Sequence, residues 1–159
     1  MDSASAKADL AEKYFKEGAN CSQAVLAAFA DELGITEEFA MRLASGFGGG
    51  IGRMREVCGA FSGAAMAAGL LYGFPIPPGQ GEKSEHYKRI QFLASRFSER
   101  WGSIVCRDIL AARIGENSVT TDHVPEERTK EYYSRRPCLE AVRLAARILD
   151  EYIENNPIK

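Results

Sequence analysis

The sequence has no excess of charge of either sign and no long hydrophobic run. The 20 basic and 22 acidic residues leave a formal net charge of −2 in a chain of 159 residues. This balance supplies no basic field for a nucleic-acid backbone or an anionic membrane surface. The longest apolar run, 57–72, is too short and too rich in glycine and alanine for a membrane span. We therefore expect no nucleic-acid partner and no membrane insertion.

The N-terminal residues also lack the pattern of a targeting signal. Residues 1–15 begin with an acid and resemble an amphipathic helix, without a basic stretch followed by an apolar one. Four cysteines are fewer than a secreted disulfide scaffold of this size carries, so we expect a cytoplasmic protein. In a reducing compartment, such cysteines indicate metal ligation or redox chemistry.

Strand-like alternation of apolar and polar residues does not persist for more than a few positions. Apolar residues recur instead at spacings of three and four, beginning with a helix predicted from Ser3 to Lys16. The pattern predicts an all-α, single-domain bundle of about six or seven helices over residues 1–159. The polar segment 115–136 is predicted to be a surface excursion from this bundle.

Small residues dominate the helix predicted after Cys58. Gly59 and Gly63 lie four residues apart, as do Ala60 and Ala64. One side of this helix would have almost no side-chain bulk, so neighbouring helices could approach closely. We predict that it is buried at the centre of the core.

A glycine-rich loop, Gly46-Phe47-Gly48-Gly49-Gly50-Ile51-Gly52, precedes this helix. No strand comes before it and no Gly-Lys-Ser/Thr follows, and the spacing differs from the dinucleotide fingerprint, so nucleotide binding is not favoured. Either the loop is a tight link between buried helices, or its N–H groups form part of an anion or cluster pocket. On the second interpretation, the cofactor-binding candidates are Gly48, Gly49, Gly50 and Gly59.

All four cysteines, Cys21, Cys58, Cys106 and Cys138, lie where a helix is predicted to begin. In the first turn of a helix, unpaired N–H groups and the helix dipole stabilise a thiolate. Ser103 is the predicted N-cap of the helix that contains Cys106. Arginines near the cysteines add positive charge: Arg53, Arg55, Arg107, Arg135 and Arg136. One buried cysteine is usually a small hydrophobic side chain, but four at equivalent positions predict a shared redox or metal role.

The spacing of the cysteines excludes several familiar sites. Gaps of 37, 48 and 32 residues contain no Cys-x-x-Cys pair, as zinc ribbons, thioredoxins, ferredoxins and c-type haem proteins require. The two histidines, His86 and His123, have no carboxylate at metal-binding helical spacing, and we expect both to be solvated. A site assembled by the fold remains open, either as a zinc or iron–sulfur centre or as dithiol pairs.

Three hypotheses follow for the four cysteines. In the first, they are catalytic in a thiol oxidoreductase or electron carrier: Cys58, with a low pKa, attacks a disulfide or oxidant and a second cysteine resolves the product. In the second, all four are metal ligands and no catalysis is needed. In the third, they fill the core of a helical adaptor that dimerises through apolar faces. The partner would be a redox protein, a small molecule or a second copy of the chain.

Several segments together resemble the C_GCAxxG_C_C family, whose members are described as redox-active. The matching residues are Asn20-Cys21 with Gln23-Ala24-Val25, Leu43 to Gly50, Cys58-Gly59-Ala60-x-x-Gly63, Cys106-Arg107-Asp108 and Cys138. The family name places glycine before its second cysteine, whereas Val57 precedes Cys58 here. The resemblance covers about Asp9 to Ile153 and implies redox activity of the four cysteines, with Gly59 and Gly63 as structural companions.

Overall fold

The computed structural model describes residues 5–158, and helices account for nearly all of the regular structure in that range. Two short 3₁₀ turns, Ser45–Phe47 and Glu116–Ser118, accompany them. The helices are α1 (Ala6–Lys16), α2 (Cys21–Ala28), α3 (Ala30–Leu33), α4 (Glu37–Ala44), α5 (Gly59–Tyr72), α6 (Glu82–Trp101), α7 (Cys106–Ile114), α8 (Lys130–Arg135) and α9 (Cys138–Asn155).

The all-α prediction is confirmed. Seven of the helices in residues 5–158 have eight residues or more, which matches the predicted six or seven, and α3 and α8 are shorter additions. Helix α1 begins at Ala6, where the Ser5 side chain accepts a hydrogen bond from the Ala8 N–H. The predicted start at Ser3 lies outside the described residues.

Helices α1, α2, α5 and α9 surround the core, and α2 contacts the other three. The predicted small-residue helix is α5, and its burial is confirmed. A Cβ atom added at Gly63 would lie 2.7 Å from the Ser22 carbonyl oxygen and 3.0 Å from Val25 Cβ. Glycine therefore lets α5 pack directly against the α2 backbone, which brings the first turns of the two helices together.

None of the helices in residues 5–158 combines the length and the apolar character that a membrane crossing requires.

Candidate functional site: the cysteine cavity

The four cysteines, which are far apart in the sequence, line a single cavity of about 620 Å³. We call this space the cysteine cavity. Its walls are the first turns of α2, α5, α7 and α9, the glycine-rich loop and part of the segment 115–136. All four side chains are free thiols, with Cys58 only 7% exposed and the other three half-buried. The fold thus makes one thiol-rich site from four separate helix starts.

The predicted placement of the cysteines at helix starts is confirmed. Cys21, Cys106 and Cys138 are the first residues of α2, α7 and α9, and Cys58 immediately precedes α5. The prediction of Ser103 as an N-cap is wrong, because α7 begins only at Cys106. The Ser103 hydroxyl instead accepts a hydrogen bond from the Val105 N–H and donates one to Asp108. Each thiol therefore lies in the first turn of a helix or at its cap.

Cys21 is fixed by the residues that begin α2. The Asn20 side chain accepts a hydrogen bond from the Gln23 N–H, and the Gln23 side chain accepts one from the Asn20 N–H, each at 2.9 Å. The Asn20 amide also donates to the Ser45 carbonyl at 3.0 Å, which ties the start of α2 to the end of α4. This reciprocal capping holds Cys21 against α5.

Cys58 and Cys106 are aligned by a short piece of extended backbone. Val57 and Val105 form an isolated antiparallel bridge. The Cys58 N–H donates to the Ile104 carbonyl at 2.7 Å, and the Cys106 N–H donates to the Glu56 carbonyl at 2.6 Å. Since successive side chains of extended backbone alternate in direction, both cysteines point away from the side occupied by the valines. Both face the cavity for this reason.

The glycine-rich loop has an unusual left-handed backbone. Positive φ values between 54° and 74° continue through Gly49, Gly50, Ile51, Gly52 and Arg53, and return at Arg55. For residues other than glycine, this conformation costs roughly 1–2 kcal/mol each. The strained residues lie where the loop presents the side chains of Arg53 and Arg55 to the cavity.

The predicted cofactor-binding glycines have different positions around the cavity. Gly48, Gly49 and Gly59 line it, whereas Gly50 packs behind Cys106, where an added Cβ would lie 2.7 Å from Cys106 Cβ. The loop N–H groups that donate to carbonyl oxygens of the loop itself are those of Ile51, Gly52, Arg53, Met54, Arg55 and Glu56. These hydrogen bonds close the loop on itself, so these six groups do not line up as an anion cradle.

Burial dominates the acidity of the thiols. It raises the pKa of Cys138 to about 11 and that of Cys58 well above the ordinary thiol value, and a charge on Cys21 raises both further. The predicted low pKa of Cys58 is therefore wrong, because burial outweighs the N–H groups of Phe61 and Ala60 that face its sulfur. Burial also raises the pKa of Cys106, with the Arg55 guanidinium acting in the opposite direction.

Arginines give the cavity a positive lining. Of those singled out in the sequence, Arg53, Arg55 and Arg136 line it, whereas Arg107 is exposed outside it and Arg135 is also not part of the lining. The segment 115–136 also lines the cavity, through residues that the sequence did not indicate as part of the site: His123, Pro125, Glu126, Arg128 and Tyr132. The sequence signal that could have indicated them is the concentration of arginine between Pro125 and Pro137.

Tyr132 and Arg128 join this segment to the cysteines and to α1. Burial raises the pKa of the Tyr132 hydroxyl, and a charge on Cys138 raises it further. Arg128 donates to the carbonyl oxygens of Phe15 at 2.7 Å and Ala19 at 2.9 Å, and it stacks over the Phe15 ring at 4.1 Å. The predicted excursion thus forms one wall of the cysteine cavity.

The residues fit a single-ion site poorly in this arrangement. Within residues 5–158, no three cysteine, histidine, aspartate or glutamate side chains lie close enough together to bind one metal ion. The soft sulfur donors are those that zinc and iron–sulfur clusters prefer, but they are spread around the cavity wall.

The sequence was compared with known proteins, solved structures and protein-family models. Searches of curated proteins and of solved structures gave no match. A family model described as "Putative redox-active protein (C_GCAxxG_C_C)" matches residues 19–152. That range contains all four cysteines, the glycine-rich loop and α5. The chain belongs to the C_GCAxxG_C_C family.

Proposed function

We propose that the protein is a thiol-based redox protein whose cysteine cavity alternates between dithiol and disulfide forms. The observation that carries the proposal is that four free thiols from four separate helix starts line one cavity. Chance burial of cysteines as small apolar residues would not bring all four to the same space. Four free thiols also suit a reducing compartment such as the cytoplasm.

Cys106 is the attacking thiol in this proposal. It is half-buried, and Arg55 Nη1 donates to its sulfur at 3.9 Å, so the guanidinium favours the thiolate. Cys58, our candidate from the sequence, is the more buried of the two, and charges on Cys21 and Cys106 disfavour its thiolate further. Accessibility and charge both favour Cys106 for the first step.

Cys21 is the resolving thiol. Burial is the main cause of the raised pKa values of Cys58, Cys106 and Cys138, and a charge on Cys21 contributes to all three. A charge on Cys106 also contributes to the raised pKa values of Cys58 and Cys138, so Cys21 and Cys106 are the two thiols that act on the others. A thiol within reach of several others can close a disulfide with whichever reacts first.

The reaction balances as a thiol–disulfide exchange. The Cys106 thiolate attacks a substrate disulfide, whose S–S bond breaks, so that a mixed disulfide forms and one substrate thiolate leaves. The Cys21 thiolate then attacks the Cys106 sulfur, which releases the second substrate thiolate and leaves a Cys21–Cys106 disulfide. The substrate gains two electrons and the two thiol protons, and the protein is oxidised.

Titration of the reduced protein with 2,2′-dithiodipyridine tests this function. We expect each molecule of reagent to release two molecules of thiopyridone, with loss of two hydrogen atoms from the protein mass. Release of one thiopyridone with a stable pyridyl adduct on the protein would contradict dithiol chemistry.

A second candidate function is metal or iron–sulfur binding without catalysis. It is favoured by the presence of four sulfur donors beside guanidinium groups that could offset the charge of thiolate ligands. Cys21, Cys58, Cys106 and Cys138 would be the ligands, and the cavity would have to contract around a single ion. Elemental analysis and an optical spectrum of protein purified without oxygen distinguish this candidate, which requires stoichiometric zinc or iron.

A further inference from the structure

One buried cation in the cysteine cavity lacks a partner for part of its hydrogen-bonding capacity. Arg55 is only 5% exposed. Its Nε donates to the Thr120 carbonyl at 2.9 Å and its Nη1 to Cys106 Sγ at 3.9 Å. Its Nη2 is buried without a hydrogen bond to any part of residues 5–158. A buried guanidinium group is costly unless its N–H groups are satisfied, so this nitrogen indicates a missing acceptor.

The neighbouring arginines do have carboxylate partners. Arg53 donates to the Asp122 carbonyl and pairs with the Asp122 carboxylate at 3.4 Å and with Glu126 at 3.3 Å. Arg136 pairs with the other oxygen of Glu126. Arg55 is paired with a carbonyl and a thiol, neither of which has a full negative charge. The excess positive charge of this group therefore lies at Arg55, beside Cys106.

Arg136 lies close enough to Arg53 and Arg55 for their charges to act on it. Burial lowers the pKa of Arg136, and the charges on Arg55 and Arg53 lower it further. Three cations that share two carboxylates attract an anion, and a water molecule would satisfy the hydrogen bond but not the charge.

We infer that the cysteine cavity binds a substrate with an oxyanion, such as a carboxylate, and that Arg55 Nη2 donates to this group while Cys106 attacks a nearby sulfur. The inference rests on the proposed function and names its substrate class: anionic disulfides. A guanidinium that contacts both the nucleophile and the anion can orient the disulfide and stabilise the Cys106 thiolate. Arg55 is a binding residue in this step and transfers no proton.

Two chromogenic disulfides that differ in charge test this inference. 5,5′-Dithiobis(2-nitrobenzoic acid) has two carboxylates, and 2,2′-dithiodipyridine has none. For the wild-type protein we measure the rate constant of the first chromophore release with each reagent. Arg55→Gln should slow the anionic reagent relative to the neutral one by at least about tenfold, the loss expected when a charge-assisted hydrogen bond is removed.

Two further variants separate binding from general effects. Arg107→Gln removes the same charge one residue from Cys106 but outside the cavity, and it should leave the ratio of the two rate constants unchanged. Arg55→Lys keeps the charge without the planar fork and should recover part of the preference. Equal slowing of both reagents by Arg55→Gln, or an equal change of the ratio in Arg107→Gln, would overturn the inference.

A measurement on the wild-type protein does not depend on the folding of any variant. Added sulfate should slow the anionic reagent more than the neutral one, beyond the effect of chloride at equal ionic strength, because it competes for Arg55. If sulfate and chloride act alike, the anion site is absent. Both tests follow the first chromophore, whereas the proposed dithiol function depends on release of the second, so either can fail without the other.

Discussion

The α-carbon of Gly59 lies against the sulfur of Cys21. A methyl group on Gly59 would overlap Cys21 Sγ and stand 2.8 Å from the Phe47 carbonyl oxygen. Gly59 also follows Cys58 directly, so the absence of a side chain here brings two of the thiols together. Glycine after the second cysteine is thus a geometric requirement of the cysteine cavity.

Gly59→Ala should therefore destabilise the protein and displace Cys21. Overpacking at a site bounded by a carbonyl oxygen and a sulfur is expected to cost about 1–3 kcal/mol in the free energy of unfolding. Urea denaturation measures this loss, and alkylation of Cys21 in the folded protein measures the displacement.

Gly69→Ala is the matched control on the same helix. The nearest atom to an added Cβ is His86 Nε2, at 4.0 Å, so the methyl group has room. Replacing glycine by alanine in a helix interior should leave stability unchanged or raise it by up to about 1 kcal/mol. Equal losses in the two variants would show that the contact with Cys21 is not the cause.

Serine variants of the two reacting thiols should fail at different steps. Cys106→Ser should remove the fast release of the first thiopyridone, because the attacking thiol is lost. Cys21→Ser should keep that release but stop at a mixed disulfide on Cys106, which peptide mass spectrometry locates. If Cys21→Ser still yields the second thiopyridone at the wild-type rate, another cysteine is the resolving thiol.

Stability should fall at alkaline pH because burial raises the thiol pKa values. Below the ordinary thiol pKa of 9.0, Cys138 is protonated in both the folded and the unfolded protein. As the pH rises toward about 11, the unfolded chain loses this proton first, so the free energy of unfolding falls by about 2 kcal/mol for Cys138 alone. Urea denaturation of the reduced protein between pH 8 and 11 measures the fall.

Cys138→Ala provides the comparison for this pH dependence. Without the thiol, the variant should lose less stability over the same range than the wild-type protein does. The raised pKa of Cys58 acts in the same direction and should remain in the variant, whereas the pKa of Tyr132 should fall in part because Cys138 contributes to it. Identical slopes for the two proteins would contradict a Cys138 thiol that keeps its proton in the folded protein.

Arg128 should hold the wall of the cavity in place. It bonds two carbonyl oxygens at and beyond the end of α1 and stacks on Phe15, so Arg128→Ala should cost about 2 kcal/mol. Amide hydrogen exchange should become faster in the segment 115–136, which this side chain ties to α1.

Arg107→Ala is the control for this substitution. Arg107 is exposed, and its loss should change stability by less than about 0.5 kcal/mol. A similarly small effect of Arg128→Ala would show that the segment is held by other contacts.

The helices and the cysteine positions could be predicted from sequence because their signals are local. Asn20 followed by Cys21 and Gln23 is a capping pattern, and the four-residue recurrence of Gly59 and Gly63 indicates close helix packing. Both depend on residues within about one turn of each other, so periodicity and capping rules detect them.

The charge and acidity of the site could not be predicted in the same way. The prediction of a low pKa for Cys58 rested only on its position at the start of a helix. The burial that raises this pKa depends on helices from elsewhere in the chain that pack around Cys58. Arg128 and Tyr132 lie in a segment that is polar by composition, and only the fold shows that they face the cavity. Effects that depend on tertiary packing have no local signature.

Peptide mapping of the oxidised protein tests the central claim most directly. The reduced protein is treated with one equivalent of 2,2′-dithiodipyridine and denatured, and the remaining thiols are alkylated with N-ethylmaleimide, which reacts under mildly acidic conditions that suppress disulfide exchange. The disulfide-linked peptides are then identified by mass spectrometry. We predict one intramolecular disulfide that joins Cys21 to Cys106, with Cys58 and Cys138 alkylated after denaturation. Four thiols that form only pyridyl adducts or links between chains would contradict a shared redox centre.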